Sequence, residues 1–338
     1  MHTSSLRSAA PSAFSPKARG RGLARHLLPA VLLAAGISAI FAFKGYQLLL
    51  AANIVSYAIA ILGLNLLAGY NGQISLGHGA FLAIGGYATA ILMERFGVPY
   101  WLAVPMCGMV AMAVGFLVAI PALRLEMLYL ALATFALAMA VPQLAKNKLV
   151  ADWTGGVQGL SLPRIAPWSA LGLDVDQTVY AYTLLLAVLA FGAVVNLLGG
   201  RIGRALEAIR DQPVAAETMA IDIRLYKTVA FGLCAFLTGM AGGLGAIATH
   251  FVSPDSYAMF LSITLLVGAV IGGFRSVYGA LCGGAFVVLM PGYAEKLSQG
   301  APWAIYGACT IVLMLAMPDG LAGLVHGLAR RWKSRHPG

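Results

Sequence analysis

Ten apolar runs, most of them close to 20 residues long, follow one another along this chain. They are Leu27–Phe43, Gln47–Ala68, Gly72–Met93, Tyr100–Ala122, Leu125–Leu144, Thr178–Leu198, Thr228–Thr249, Tyr257–Gly273, Gly279–Leu289 and Trp303–Met317. A run of about 20 apolar residues wound as an α-helix crosses a ~30 Å hydrocarbon core. Inside that core each backbone amide must be satisfied within the protein, which leaves a bundle of spanning helices as the expected solution. Composition agrees, with 60% hydrophobic and 10% charged residues, outside the range of a soluble domain of this size. The expected fold class is an all-α polytopic integral membrane protein with about ten transmembrane helices, broken helices among them. A disordered tail over residues 1–26 and a basic tail over 325–338 flank a transmembrane body over 27–324. The third and ninth runs are weakest, the third because it is rich in glycine and the ninth because it is short and ends at Pro291. Either is a candidate broken or re-entrant segment, tolerated where protein or a water-filled cavity covers the freed backbone.

The Lys and Arg residues set the orientation. With the amino terminus inside, ten spans place Arg7, Lys17, Arg19, Arg21, Arg25, Arg124, Arg201, Arg204, Arg210, Arg224, Lys227, Arg275, Arg330, Arg331, Lys333 and Arg335 on the inner side. Lys44, Arg95, Lys146, Lys148, Arg164 and Lys296 fall outside. Both termini are therefore expected in the cytoplasm. The net charge of +10 marks the inner face and its anionic membrane lipid, and calls for no nucleic acid. Basic residues ahead of an apolar run also suit a signal peptide. The first run is long, lacks a small-residue cleavage site and is followed by nine more, so a retained first helix is expected. Cys107, Cys234, Cys282 and Cys309 all lie in apolar runs without metal-ligand spacing and read as packing residues.

No G-x-x-x-x-G-K-[ST] stretch is present, so the chain lacks the phosphate cradle of an ATPase, and no H-E-x-x-H motif marks a metal-dependent enzyme. Ionisable residues within the runs are scarce, His78 and Glu126 being the main ones. An ion-coupled secondary carrier relies on titratable or coordinating groups near the midplane, so that class is disfavoured. Energy for transport is then expected from another subunit.

Two stretches stand out. Arg201 to Lys227, RIGRALEAIRDQPVAAETMAIDIRLYK, is the one extended polar helical stretch between apolar runs. Ile202, Leu206 and Ile209 recur at helical spacing, Pro213 breaks the pattern, and Ala215, Ala216 and Ala220 line a second short helix. A helix pair with small side chains can dock closely into a groove on another protein. The second stretch is Gly69 to Phe81, GYNGQISLGHGAF, followed by Gly85, Gly86 and Tyr87. Its glycines permit close helix approach and an unwound segment. Gln73, Ser75 and His78 either face a passage or satisfy neighbouring backbone as packing residues.

GYNGQISLGHGAFLAIGGYATA resembles the glycine-rich signature of LivM-type permeases of branched-chain amino acid ABC importers. Thr154-Gly155-Gly156-Val157-Gln158-Gly159-Leu160 is similar to that family's T-G-G-x-x-G-L loop, and Gly203 to Asp211 through Ala215, Ala216, Ile221 and Asp222 to its cytoplasmic loop. Ser253-Pro254-Asp255-Ser256, Val270 to Gly273 and Pro318 to Leu321 resemble later segments, so the likeness runs from about Ala51 to Leu324.

The resemblance implies a permease domain over 27–324, with an external loop over 145–177 and a cytoplasmic coupling loop over 200–227. It implies a bacterial inner-membrane location and four kinds of association: a second related permease subunit, two cytoplasmic ABC ATPase subunits, a periplasmic binding protein, and lipid. ATP would be used by the ATPase subunits, with no cofactor and no catalytic or metal site on this chain. Leucine, isoleucine or valine is the implied cargo, with urea, short amides or aromatic acids as the alternative. The pathway candidates are Gln73, Ser75, His78, Thr154, Gly155 and Gly156, the last three offering backbone amides to a carboxylate. The coupling-loop candidates are Gly203, Arg204, Glu207, Ala208, Asp211, Ala215, Ala216, Ala220 and Asp222. Glu207 is left with an ATPase residue or with Arg204 or Arg210 on its own helix as partner. In the external loop, Asp152, Asp174 and Asp176 with Lys146, Lys148 and Arg164 either dock the binding protein or are simply solvated. Ala220 stands where the family usually has glycine, Glu126 where it has a basic or small residue, and Phe274-Arg275 where a smaller residue commonly follows.

Overall fold

The computed structural model describes residues 22–122, 127–168, 172–297, 301–317, 320, 321 and 323. Arg124, Glu126, residues 1–21, residues 324–338, and Pro318 and Asp319 of the closing segment lie outside them. Among the described residues ten long helices follow the ten apolar runs: α1 (Gly22–Ala42), α2 (Tyr46–Leu64), α3 (His78–Glu94), α4 (Tyr100–Ala122) and α5 (Met127–Ala145) in the first half. A short helix α6 (Ala151–Thr154) precedes α7 (Val175–Gly199), and α8 (Arg201–Asp211) and α9 (Pro213–Thr218) separate α7 from α10 (Ile223–Thr249). The last three are α11 (Met259–Gly272), α12 (Gly279–Leu297) and α13 (Pro302–Ala316). Four of them, α2 with its continuation to Tyr70, α4, α7 and α10, are long and apolar enough to cross a membrane alone. The chain is an all-α polytopic membrane protein.

Burial sorts the helices by position. The most apolar window of α10 is 83% buried, against 39% in α4 and 33% in α7. So α10 is the central helix, packed on α2, α3 and α4. Its contact with α3 is close because a side chain at Gly85 would collide with the backbone of Gly239; small residues let apolar helices approach in the absence of a hydrophobic driving force. The outer helices expose large apolar side chains instead, among them Leu117, Ile120, Leu132, Ile311 and Leu315. That is the distribution a hydrocarbon solvent selects.

Two expectations on spans are refined. The third run is broken: α2 continues as a π-helical turn over Asn65–Tyr70, and residues 71–77 are non-helical before α3 begins at His78. The ninth does not end at Pro291, because α12 runs through it to Leu297. Proline is carried inside α1, α4 and α5 as well; packed neighbours re-satisfy the carbonyl that proline frees.

Among the described residues, connections meet in two groups. Residues 65–77, 201–211 and 273–276 touch at one end, through hydrogen bonds from Asn65 Nδ2 to Ser276 O and from Tyr70 OH to Arg275 O. At the other end, β1 (Leu160–Ser161) pairs antiparallel with β2 (Phe251–Val252), and Lys146 Nζ lies 2.6 Å from Asp255 Oδ1. Phe96 stacks on Trp153 there, with Arg95 over the same indole.

Candidate functional site

Helix α8 is ordered by one face. Gly203, Ala205, Leu206 and Ile209 are buried, while Arg201, Arg204 and Asp211 are exposed. Leu206, 1% exposed, packs in a cluster with Leu66, Leu67, Phe81, Phe231 and Cys234, so α8 rests directly on the break in the third span and on α10. Pro213 opens α9 at its first position, where no amide partner is lost. Ala216 is 3% exposed and therefore packs within the chain, whereas Ala208 is half-buried and Ala215 exposed. The tip carries two apolar side chains that the alanine pattern did not single out, Val214 and Met219, 74% and 80% exposed. Ala220 has φ +59°, the left-handed region that favours glycine, and Asp222 accepts a hydrogen bond from Leu225 N to start α10.

The charges of α8 reach other elements. Glu207 forms its ion pair with Arg275, Oε1 to Nη2 3.9 Å, with both side chains half exposed, and not with Arg204 or Arg210. Arg204 Nη1 instead donates to Gly199 O at 3.3 Å. Arg210 donates to Gly69 O, the carbonyl near the end of the π-helical turn. Neither the Arg210–Gly69 contact nor the Glu207–Arg275 pair was legible in the sequence, because they join residues 141 and 68 positions apart.

Across the break the pathway candidates sit together and are enclosed. Gln73, Ser75 and His78 are 8%, 1% and 1% exposed. Gln73 Oε1 accepts from Asn71 Nδ2 at 2.7 Å, and Ser75 Oγ accepts from Gly77 N at 3.3 Å. His78 Nε2 lies 2.9 Å from Cys234 Sγ on α10, and its Nδ1 has no partner among the described residues. The break and the first turn of α3 are held by hydroxyls on other helices: Leu76 N donates to Thr134 Oγ1 on α5, and Gly79 N to Ser262 Oγ on α11.

Thr154, Gly155 and Gly156 lie at the opposite end, far from the break. Thr154 Oγ1 donates to Ala145 O at 2.7 Å, Gly155 N to Ala151 O at 2.8 Å, and Gly156 N to Thr154 Oγ1 at 3.3 Å. Both glycine amides are thus engaged inside the loop. Of the charged loop residues, Asp174 belongs to the start of α7, where its amide donates to Gln177 Oε1, and Lys146 is paired with Asp255.

A broken third span, a polar helix pair bearing on it and a central helix that follows that pair make up the candidate site. A profile described as "Branched-chain amino acid transport system / permease component" matches residues 46–317, from the start of α2 to the end of α13. This chain belongs to that permease family. It is 32% identical over 288 residues, 78% of this permease and 67% of the relative, to the high-affinity branched-chain amino acid transport system permease protein LivM of Escherichia coli. The LivH permease protein of the same organism is 24% identical over 289 residues, covering 79% of this permease and 91% of LivH. The autoinducer 2 import system permease protein LsrD of an Enterobacter species is 26% identical over 274 residues, 78% of this permease and 79% of LsrD. No solved structure matches this permease.

Proposed function

We propose that this permease is the membrane-spanning subunit of an ATP-driven importer in a bacterial inner membrane, and that it passes leucine, isoleucine and valine delivered by a periplasmic binding protein. The observation that carries the reading is α8–α9: an exposed helix pair in a branched-chain amino acid permease family member, resting by Leu206 on the broken third span. The pair docks a cytoplasmic ATPase subunit, with Val214 and Met219 as the apolar contacts and Arg201, Arg204 and Asp211 as the polar rim. A second, related permease subunit and two ATPase subunits complete the assembly, and ATP hydrolysis belongs to those ATPases. Closure of the ATPase pair displaces the docked helices and switches the access of the pathway. Gln73, Ser75 and His78 form its inner constriction, a reading supported by their burial beside the break. The Thr154-Gly155-Gly156 turn, with its amides already used, builds the external loop on which the binding protein lands.

Reconstituting the full complex in vesicles tests the cargo. ATP-dependent accumulation of labelled leucine is expected, and no leucine movement alongside uptake of urea or another solute would refute it. Similarity to the autoinducer 2 permease LsrD makes a non-amino-acid cargo the reading to exclude. For the docking face, Met219→Asp with Val214→Asp is expected to release the ATPase subunits on purification. Undiminished co-purification would place the contact elsewhere.

A further inference from the structure

Two elements that are remote in sequence, α8 and the turn between α11 and α12, converge on residues 69–72. The guanidinium of Arg210 on α8 donates to Gly69 O. A cation at this carbonyl sits at the negative end of the α2 helix, where charge and helix dipole reinforce the hydrogen bond. The stem of the same side chain lies over Gly72: a methyl group there would be 3.1 Å from Arg210 Cγ and 3.6 Å from its Cβ. Gly72 has φ +74°, so its backbone conformation disfavours a side chain as well. On the other flank, a Cβ at Gly69 would collide with the carbonyl of Phe274, in the turn between α11 and α12. Tyr70 OH donates to Arg275 O in that turn at 2.8 Å, and Arg275 is the residue paired with Glu207 of α8. Residues 69–72 are therefore clamped between α8 and the α11–α12 turn.

Beyond the clamp, residues 71–77 carry no helical ladder. Their position is set at the far side by the hydroxyls of Thr134 and Ser262, and at the near side by Arg210. A displacement of α8 carries Arg210 with it, and the first backbone it engages leads directly into Gln73, Ser75 and His78.

We propose that Arg210 is the positioning residue through which α8 moves the broken third span, with Glu207–Arg275 as a second, weaker strut to the α11–α12 turn. The proposal rests on the reading of α8–α9 as the ATPase-docking pair, so its test has one readout that needs no ATPase. In that readout, amide exchange over residues 71–79 is followed by mass spectrometry on the full chain, purified with whatever partners accompany it. Arg210→Ala is expected to raise exchange there at least tenfold and leave α4 unchanged. The second readout is labelled leucine accumulated per ATP hydrolysed in the reconstituted complex. Arg210→Ala is expected to lower that ratio at least tenfold while ATPase co-purification, basal hydrolysis and KM for ATP stay as in the parent. Arg210→Lys keeps the cation without the planar fork and is expected to fall between the two. If the alanine variant fails to assemble, the lysine variant decides: a ratio at least twofold below the parent supports the role, and a parent-like ratio overturns it. Unchanged exchange over 71–79, or a parent-like ratio in an intact Arg210→Ala complex, also overturns it. A parent that carries no ATPase refutes the docking reading alone and leaves the exchange result to judge Arg210.

Discussion

Helix α8 has 11 residues, too few to hold a helix in water without tertiary support. Its order therefore depends on the face it buries, and Leu206 is the largest fully enclosed side chain on that face. Leu206→Ala removes the isobutyl group from among Leu66, Leu67, Phe81 and Phe231. Leucine-to-alanine changes at such enclosed positions cost about 2–5 kcal/mol, made up of lost transfer energy and the cavity left behind. The site lies at the edge of the bundle and can partly collapse, so about 2–4 kcal/mol is the appropriate range here. At ~1.4 kcal/mol per tenfold change, local opening of α8 should become roughly 30- to 700-fold more frequent. The check is amide exchange over residues 201–211 in lipid nanodiscs, under conditions where exchange reports the opening equilibrium. Protection should fall by that factor, while Ile202→Ala, at a position 37% exposed, changes it by less than about threefold. Exchange in Leu206→Ala within threefold of the parent would refute the argument. It would mean that α8 is held by its charges and not by its buried face.

Ala220→Gly should relieve the left-handed strain at φ +59° and stabilise the α9–α10 connection by about 1 kcal/mol, less the entropy glycine adds to the unfolded chain. Slower proteolysis within residues 212–222 is the expected readout, and faster cleavage would contradict it. Lys146→Met should lower the thermal midpoint by only a degree or two. Its partner Asp255 is 72% exposed, and pairs of this kind contribute about 0–1 kcal/mol. Gly85→Val should do the reverse and abolish stable expression, since its side chain has to enter the backbone of Gly239. Normal yield with an unchanged midpoint would show that α3 and α10 have room to part.

Periodicity and hydropathy made the helices legible almost one for one, because each span has to satisfy its own backbone in hydrocarbon. The break at residues 71–77 was visible as glycine density and polar side chains inside an apolar run. The end of α12 was misplaced because Pro291 stops a helix in water but is tolerated where neighbours cover the freed carbonyl. Ala220 was noticed only as a departure from a family pattern, and its backbone supplies the physical reason. Partners were another matter. Helical spacing says which face Glu207 and Arg210 share, but not that Arg275 and Gly69 wait opposite. Nor does an alanine stripe reveal that Ala216 turns inward while Val214 and Met219 turn out.

Helix α10 is capped by Asp222, four residues after the end of α9, and ends at Thr249, one residue short of β2. Its 27 residues make a rod about 40 Å long. A tilt of about 5° pivoting at the inner end sweeps the outer end sideways by roughly 3.5 Å, about the rise of one strand residue. The outer end is where β2 pairs with β1, so that sweep would shear the Leu160–Val252 pairing by close to one register step. A strand pair of two residues can slip at little cost where a longer ladder would resist. The shortness of β1 and β2 thus leaves the loop over residues 145–177 free to follow the angle of the rod beneath it.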